Sequence, residues 1–401
     1  VKAVVWRGVG DIRLEDVAEP SISDPQDAVV QITTSALCGT DLHMVRGTLP
    51  GMQPGTVLGH EGVGVVTEVG SQVRNFQPGD RVVIPSTIGC GTCSYCRAGY
   101  FAQCDNANPG GKRAGTAFFG GPEATGSFPG LQAERVRVPF ANVGLVALPE
   151  QVSDEEAILI SDIFPTAWFG ARLADISPGD TVAVMGCGPV GLFSILSARM
   201  QGAGRVLAVD GVRSRLEQAR TLHAEVIDYN AEDPVATMVE LTGGIGPDRV
   251  IDAVGVDAER PKEGPAAQGS SQDDFEAERS RIVPQARPEG RTWIPGDAPS
   301  QAAQWAVEAV AKAGTLSIIG VYPPSMTSFP IGAAMNKNLT LKMGNCNHRK
   351  YIPELIELVA GGTVDITSVL TQEMPIGDVM EAYRAFDHRE PGWTKVAITT
   401  A

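Results

Sequence analysis

The chain has 401 residues, enough at roughly 150 residues per domain for two or three domains and a large buried core. Hydrophobic residues make up 43% and charged residues 20%, which excludes an intrinsically disordered chain. Acids outnumber bases 47 to 32, and the formal charge of −15 argues against a nucleic-acid or anionic-membrane binder, because phosphate contact needs a basic face.

The N-terminal segment VKAVVWRGVGDIRLED has a short strand-like run and then charges. It lacks a signal-peptide pattern, so a cytoplasmic location is expected. No apolar run approaches the roughly 18 residues of a membrane span, so no membrane partner is expected. Over residues 1–150 the runs VKAVVW, AVVQITTSA, GVGVVTEVG and DRVVIP are short, apolar or alternating, and separated by Gly, Pro and Asp. They predict a β-rich region.

Two constellations in this region bear metal-ligand chemistry. Cys38-Gly39-Thr40-Asp41-Leu42-His43 and Gly59-His60-Glu61 together offer a thiolate and an imidazole. With one further ligand they would leave a zinc coordination position open, as a catalytic zinc requires. Each piece alone is more often a packed residue; their value lies in occurring together and in order. Next, Cys90, Cys93, Cys96 and Cys104 form C-x2-C-x2-C-x7-C, four of the seven cysteines within 15 positions. Four sulfur ligands with no open position describe a structural zinc site. An iron–sulfur cluster or uncoordinated thiols are the competing readings. The following stretch, 106–130, reads as loop.

Residues 175–255 change character. DTVAVMG predicts a buried strand, PVGLFSILSARMQGA a helix and RVLAVD a second strand. SRLEQARTLHA, AEVIDY, a helix near 234–242 and DRVIDAVG continue the alternation, which predicts a parallel sheet with right-handed crossovers. Gly186-Cys187-Gly188-Pro189-Val190-Gly191 is a G-x-G-x-x-G between strand and helix, and Asp210 follows 19 positions after Gly191. That is a dinucleotide fingerprint, with pyrophosphate on the helix N-terminus and the acid on the ribose hydroxyls. Asp210 would repel a 2′-phosphate, which favours NAD over NADP. Arg213 and Arg215 could instead pair with such a phosphate. Residues 256–300 interrupt the rhythm with a polar, Pro- and Gly-containing insertion, expected as a lid or a flexible loop. AAQWAVEAVAKAG and TLSIIGVY restore it, and the tail adds KNLTLKMG, YIPELIELVAGG and PIGDVMEAYRAFD.

Across essentially the whole chain these motifs resemble the zinc-dependent medium-chain alcohol dehydrogenases. The resemblance implies an α/β protein with a GroES-like β-rich catalytic domain over 1–160 and 336–401, its structural zinc lobe near 88–106. It implies a doubly wound parallel-sheet Rossmann domain over 161–335 that carries the insertion. It assigns Cys38 and His60 to the catalytic zinc, Glu61 behind it, and Thr40 and His43 to a relay carrying the alcohol proton to solvent. Where well-known members have a third Cys, this chain has Asp162 within Ile160-Ser161-Asp162-Ile163-Phe164-Pro165-Thr166. A carboxylate is an acceptable zinc ligand. That replacement and the insertion resemble the glutathione-independent formaldehyde dehydrogenase branch. Thr166 and Arg215 are expected near the cofactor, and Arg349 and Lys337 are weighed as pyrophosphate contacts against a solvated surface role.

The expected cofactors are therefore two Zn2+ per chain and NAD, with NADP the lesser choice. The expected function is hydride transfer between a small alcohol or aldehyde hydrate and NAD, in a homodimer or homotetramer. Three alternatives stand beside it: an aldehyde dismutase with tightly held NAD, a zinc-free double-bond reductase, and a non-catalytic cofactor-binding protein. His223, His348 and His388 are given no role.

Overall fold

In a computed structural model, which describes residues 1–269 and 272–400, the chain divides into two units. The first comprises Val1–Pro165, Arg287–Trp293 and the chain from Asn345 onward; the second comprises Thr166–Ala286 and Ile294–Gly344. Residues 270 and 271 of the expected insertion lie outside the described residues. Among the described residues no helix is long and apolar enough to cross a membrane.

The β-branched runs of the N-terminal region pair antiparallel. The long strand Ala28–Leu37 lies at the centre of a seven-stranded sheet, between Val396–Thr399 on one side and Gly62–Val69 on the other. Arg81–Ile84 and Val146–Ala147 extend the sheet beyond Gly62–Val69, Gln372–Pro375 extends it beyond Val396–Thr399, and Arg135–Val138 pairs with Ala28–Leu37 off this path. A smaller sheet joins Asp11–Asp16, Lys2–Gly8 and Thr56–Val57. The C-terminal strand thus completes a sheet begun by the N-terminal region.

The second unit is a six-stranded sheet, every pair parallel. Its order is Glu225–Asp228, Arg205–Asp210, Thr181–Met185, Arg249–Asp252, Thr315–Ile318, Thr340–Met343. The first strand in sequence, Thr181–Met185, lies between the second and the fourth. This is the doubly wound order whose reversal point binds nucleotides. Ala183, Leu207, Val250 and Leu316 are fully buried in it, as the continuous apolar runs require for strands covered on both faces.

Expected helices appear at Pro189–Met200, Arg213–Thr221, Pro234–Leu241, Gln301–Ala309 and His348–Ala360, and the tail adds one more at Val379–Asp387. Pro189 starts the first at its N1 position, where its missing N–H costs nothing. The helix Asp154–Ser161 opens on a reciprocal cap, in which Glu156 N–H donates to Ser153 Oγ at 3.2 Å and Ser153 N–H to Glu156 Oε2 at 2.9 Å.

The insertion is neither uniformly loop nor featureless. It contains the helices Pro265–Gly269 and Gln272–Ile282, and buries Phe275, Ile282 and Val283. Ser300 Oγ donates to Glu278 Oε2 at 2.7 Å, and Gly296 N–H to Asp257 Oδ1 at 3.1 Å. Arg287–Trp293 belongs instead to the first unit, where Trp293 is 3% exposed. The sequence showed only its polar average; the sparse apolar residues do the packing.

Candidate metal centre and nucleotide turn

Cys38, the adjacent pair His60 and Glu61, and Asp162 come from three separate stretches of chain, yet one donor atom of each residue lies within 4.8 Å of the others, all buried. Cys38 ends the strand Ala28–Leu37 and precedes the helix Gly39–Arg46, which fixes its direction. Asp162 sits between the helices Asp154–Ser161 and Ile163–Ala174. Its neighbour Ser161 donates to Ile84 O at 2.8 Å and accepts from Gly62 N–H at 3.0 Å, which pins this break against the strand that follows His60.

Asp162 Oδ2 is 3.4 Å from His60 Nε2 and 3.8 Å from Cys38 Sγ. A tetrahedral ion with ligand bonds of about 2.0–2.3 Å has donor–donor edges of about 3.3–3.8 Å, so the spacing suits zinc. Three Lewis-basic atoms turned inward at this separation repel one another unless a proton or cation joins them. The donor set of thiolate, imidazole and carboxylate fits a catalytic ion, with room for one more ligand.

Electrostatics follow from burial and pairing. Burial works against the Asp162 carboxylate, but hydrogen bonds from His348 and His60 hold it well below the usual range. Burial pushes the Cys38 thiol up, opposed by His60. Burial disfavours the His60 imidazolium, yet Asp41, Cys38 and Asp162 carry it well above its ordinary value. Burial raises Glu61 to about 7 despite the ammonium of Lys395 beside it.

Five residues around this centre were missed by sequence reasoning. His348, given no role from the sequence, begins the helix His348–Ala360 but is only 3% exposed, and its Nε2 lies 2.5 Å from Asp162 Oδ1. Thr87 Oγ1 holds its other ring nitrogen at 3.1 Å. Lys395 is fully buried, paired with Glu61 Oε2, and donates to Leu37 O at 2.8 Å. Asp41 lies 3.5 Å from His60 Nδ1 through Oδ1, and Gln132 donates to its Oδ2 at 3.1 Å. Only Asp41 had a local signal, since it stands two residues before His43 in the same motif; a buried His, Lys or Gln far along the chain has none.

The expected relay residues lie on the same helix as Asp41. Thr40 is half-buried, and His43 is buried with Nδ1 3.0 Å from Thr48 Oγ1. Thr48 gives its own proton to His43 O at 3.1 Å, so Nδ1 must be the donor in that pair. The neutral ring then carries its basic lone pair on Nε2, the correct tautomer for taking a proton there. Leu49 and Met52, in the stretch after this helix, pack with Trp6 and Leu42 in the core.

The four cysteines of the lobe also converge. Cys93 Sγ and Cys104 Sγ are 3.9 Å apart, close to the edge of a zinc tetrathiolate and far beyond a disulfide bond of about 2 Å. Cys90 Sγ accepts from the N–H groups of Thr92 and Cys93, Cys93 Sγ from Cys96, and Cys104 Sγ from Cys90 and Asn106. Such donors favour thiolates. The Cys104 thiol falls to about 4, led by its hydrogen bond from Cys96 and helped by those backbone N–H groups.

In the second unit, the glycine turn lies at the carboxyl end of Thr181–Met185. Gly186 has φ +88°, and a Cβ there would meet Val254 Cγ2 at 2.6 Å. A Cβ on Gly191 would meet Gly186 O at 1.9 Å, so only glycine lets helix and turn approach. Gly188 caps the helix that Pro189 and Val190 begin, and the space beside it faces the Arg215 guanidinium at 3.7 Å. Asp210 accepts backbone N–H bonds from Cys187 at 2.7 Å and from Gly211 and Val212 at 2.8 Å. It therefore organises the turn as well as standing where a ribose is expected. Thr166 is half-buried on Ile163–Ala174. Lys337 does not reach for an anion: its ammonium donates to the carbonyls of Val307, Glu308 and Val310, beside the end of Gln301–Ala309.

Comparison with known proteins agrees with this geometry. A family model described as the alcohol dehydrogenase GroES-like domain matches residues 24–150, and one described as zinc-binding dehydrogenase matches 189–260. An uncharacterized zinc-type alcohol dehydrogenase-like protein of Bacillus subtilis is 36% identical over 402 residues, covering 99% of this chain and 100% of the relative. A glutathione-independent formaldehyde dehydrogenase of Pseudomonas aeruginosa is 32% identical over 402 residues, covering 97% and 96%. Among solved structures, an alcohol dehydrogenase of Thermus sp. ATN1 is similar with a TM-score of 0.80 and 33% identity, each chain covered in full.

Proposed function

Because the chain belongs to the zinc-dependent medium-chain alcohol dehydrogenase family and is a zinc-dependent oxidoreductase, we propose that it transfers hydride between a small alcohol or aldehyde hydrate and NAD. The catalytic zinc is assigned to Cys38, His60 and Asp162, and a structural zinc to Cys90, Cys93, Cys96 and Cys104. The observation that carries this reading is the convergence of three chemically different donors, with Glu61 behind them, on one buried point.

When bound, zinc supplies a Lewis acid and the nicotinamide supplies the hydride acceptor. The protein does the rest. Cys38 and Asp162 bring negative charge, and His348 keeps one Asp162 oxygen occupied so that the other is aimed inward. Asp41 stands where it can hold the Nδ1 proton of His60 and leave Nε2 for the ion. Glu61 and Lys395 sit behind as a buried pair. The Thr40 hydroxyl takes the substrate proton, and His43 receives it at Nε2. Gly186, Gly188, Pro189, Val190 and Gly191 would cradle the pyrophosphate, and Asp210, Arg215 and Thr166 would hold the remainder of the cofactor. Asp210 favours NAD over NADP by its charge.

Metal analysis with an alcohol and aldehyde panel, each with NAD and with NADP, tests the reading. Two zincs per chain and NAD reduction are expected; turnover that survives His60→Ala refutes it. The formaldehyde dehydrogenase relative and the carboxylate at 162 favour one second reading, in which retained NAD passes hydride from one aldehyde hydrate to another aldehyde, giving acid plus alcohol. Acid and alcohol formed from aldehyde without added cofactor would distinguish it. A homodimer or homotetramer is the assembly we assign: the edge strand Thr340–Met343 pairs on one side only among the described residues, and Ile331, Met335 and Met343 are exposed. Met343→Lys should shift the mass seen by light scattering.

A further inference from the structure

A buried chain of polar groups leads from His60 to the helix Val379–Asp387, and the reaction scheme above does not use its outer part. Asp41 Oδ2 accepts from Cys38 N–H at 3.0 Å and from Gln132 Nε2 at 3.1 Å, while Oδ1 faces His60 Nδ1 at 3.5 Å. The other proton of Gln132 Nε2 goes to Ala36 O at 3.1 Å. With both amide protons committed to acceptors, Gln132 Oε1 must face a donor. That donor is Tyr383, whose hydroxyl lies at 2.8 Å. Asp41, Gln132 and Tyr383 are fully buried, so no solvent can substitute for any of them.

Gln132 also packs against the backbone that carries His60. Gly59 has φ +91°, and a Cβ there would meet Gln132 Cγ at 2.5 Å and Gln132 N at 2.8 Å. At the outer end, the Trp293 ring meets the Tyr383 ring edge-on, centroids 6.3 Å apart. Trp293 N–H donates to Asp387 Oδ2 at 2.8 Å, and Asp387 Oδ1 receives Arg46 at 2.8 Å from the helix that bears Asp41.

We propose that Gln132 and Tyr383 are positioning residues for the zinc-ligating ring of His60. The Tyr383 hydroxyl fixes which way the Gln132 amide faces, the amide holds Asp41, and Asp41 sets the tautomer and plane of the imidazole. Without that hydroxyl, Gln132 Oε1 either stays buried and unsatisfied or turns toward the Asp41 carboxylate, which repels it. Either result loosens Asp41 and hence the ligand. Trp293 secures Tyr383, so the segment Arg287–Trp293 contributes to the metal centre from a distance. The inference rests on the assignment of Cys38, His60 and Asp162 to a zinc ion.

The test compares wild type, Tyr383→Phe, Gln132→Met and the double variant. The readouts are zinc release to a chelator, resolved for the two sites, and the visible absorption bands after cobalt substitution, which report ligand geometry independently of turnover. Loss of a partner to a metal ligand typically weakens metal binding about 10–100-fold; acting one residue further out, Tyr383→Phe should speed release from this site about tenfold and shift the cobalt bands. Release from the four-cysteine lobe should not change. In the Gln132→Met background the tyrosine change should add nothing, since the connection is already cut. Should Tyr383→Phe fail to fold, Gln132→Met reads the same chain by the same measurements. Two zincs in wild type with unchanged release and cobalt spectra in the variants would overturn the inference alone. A wild type that holds only the four-cysteine zinc would overturn the underlying site assignment, and this inference with it.

Discussion

Lys395→Met is the sharpest probe of how the metal centre is held together. Lys395 and Glu61 have no exposed side-chain surface, and they pair with each other; Lys395 also donates to Leu37 O at 2.8 Å. Methionine keeps most of the aliphatic stem, so packing changes little. What disappears is the charge opposite Glu61 and a donor to a buried carbonyl. Removing one partner of a buried pair typically costs about 3–5 kcal/mol, because the other charge stays behind without compensation. Replacing both partners is commonly near neutral. Lys395→Met should therefore lose about 3–5 kcal/mol, and Glu61→Gln combined with Lys395→Met should recover most of it. Urea unfolding of the zinc-loaded protein, followed by tryptophan fluorescence, measures both. A single-variant loss below about 1 kcal/mol, the range of an exposed pair, would refute the reasoning. So would a double variant no better than the single one.

Three further outcomes are expected. His348→Ala should weaken zinc binding at the Cys38 site about 10–100-fold by freeing Asp162, with the four-cysteine site unaffected; chelator competition measures this, and equal loss at both sites would contradict it. Cys96→Ser should raise hydrogen exchange around residues 88–106 while exchange in the parallel sheet stays unchanged, because that lobe has little core beyond its ion; protection lost throughout the chain would argue otherwise. Burial holds the Asp252 carboxyl above its ordinary value, although Tyr322, Val254 and Gly255 donate to it. A raised folded value means that stability from this group is full below the unfolded value, near pH 4, and is lost as pH rises through the folded one. Asp252→Asn removes that titration, so stability of the variant relative to wild type should improve as pH rises above about 4, the unfolded value, and parallel pH–stability curves would dismiss the idea.

Much of this protein is written locally. Strand and helix runs show in spacing of two or three to four residues, because periodicity records which face is buried. The glycine turn, the cysteine lobe and the Cys38–His43 motif are legible for a related reason: their functional groups lie within one loop or one turn of each other. Asp162 was found from its resemblance to a ligand position, since nothing adjacent marks it. Tertiary structure alone decided which distant polar residues surround it. Lys395, His348, Gln132 and Tyr383 each look like an ordinary surface or core residue in sequence. Only folding removes water from them, and without water each must find its partner within the protein. The insertion shows the same division. Its average polarity suggested a loop, yet Trp293, buried against Tyr383, helps fasten its return segment within the first unit, together with Thr292 against His388. Composition averages over such a residue, whereas packing depends on where that one side chain goes.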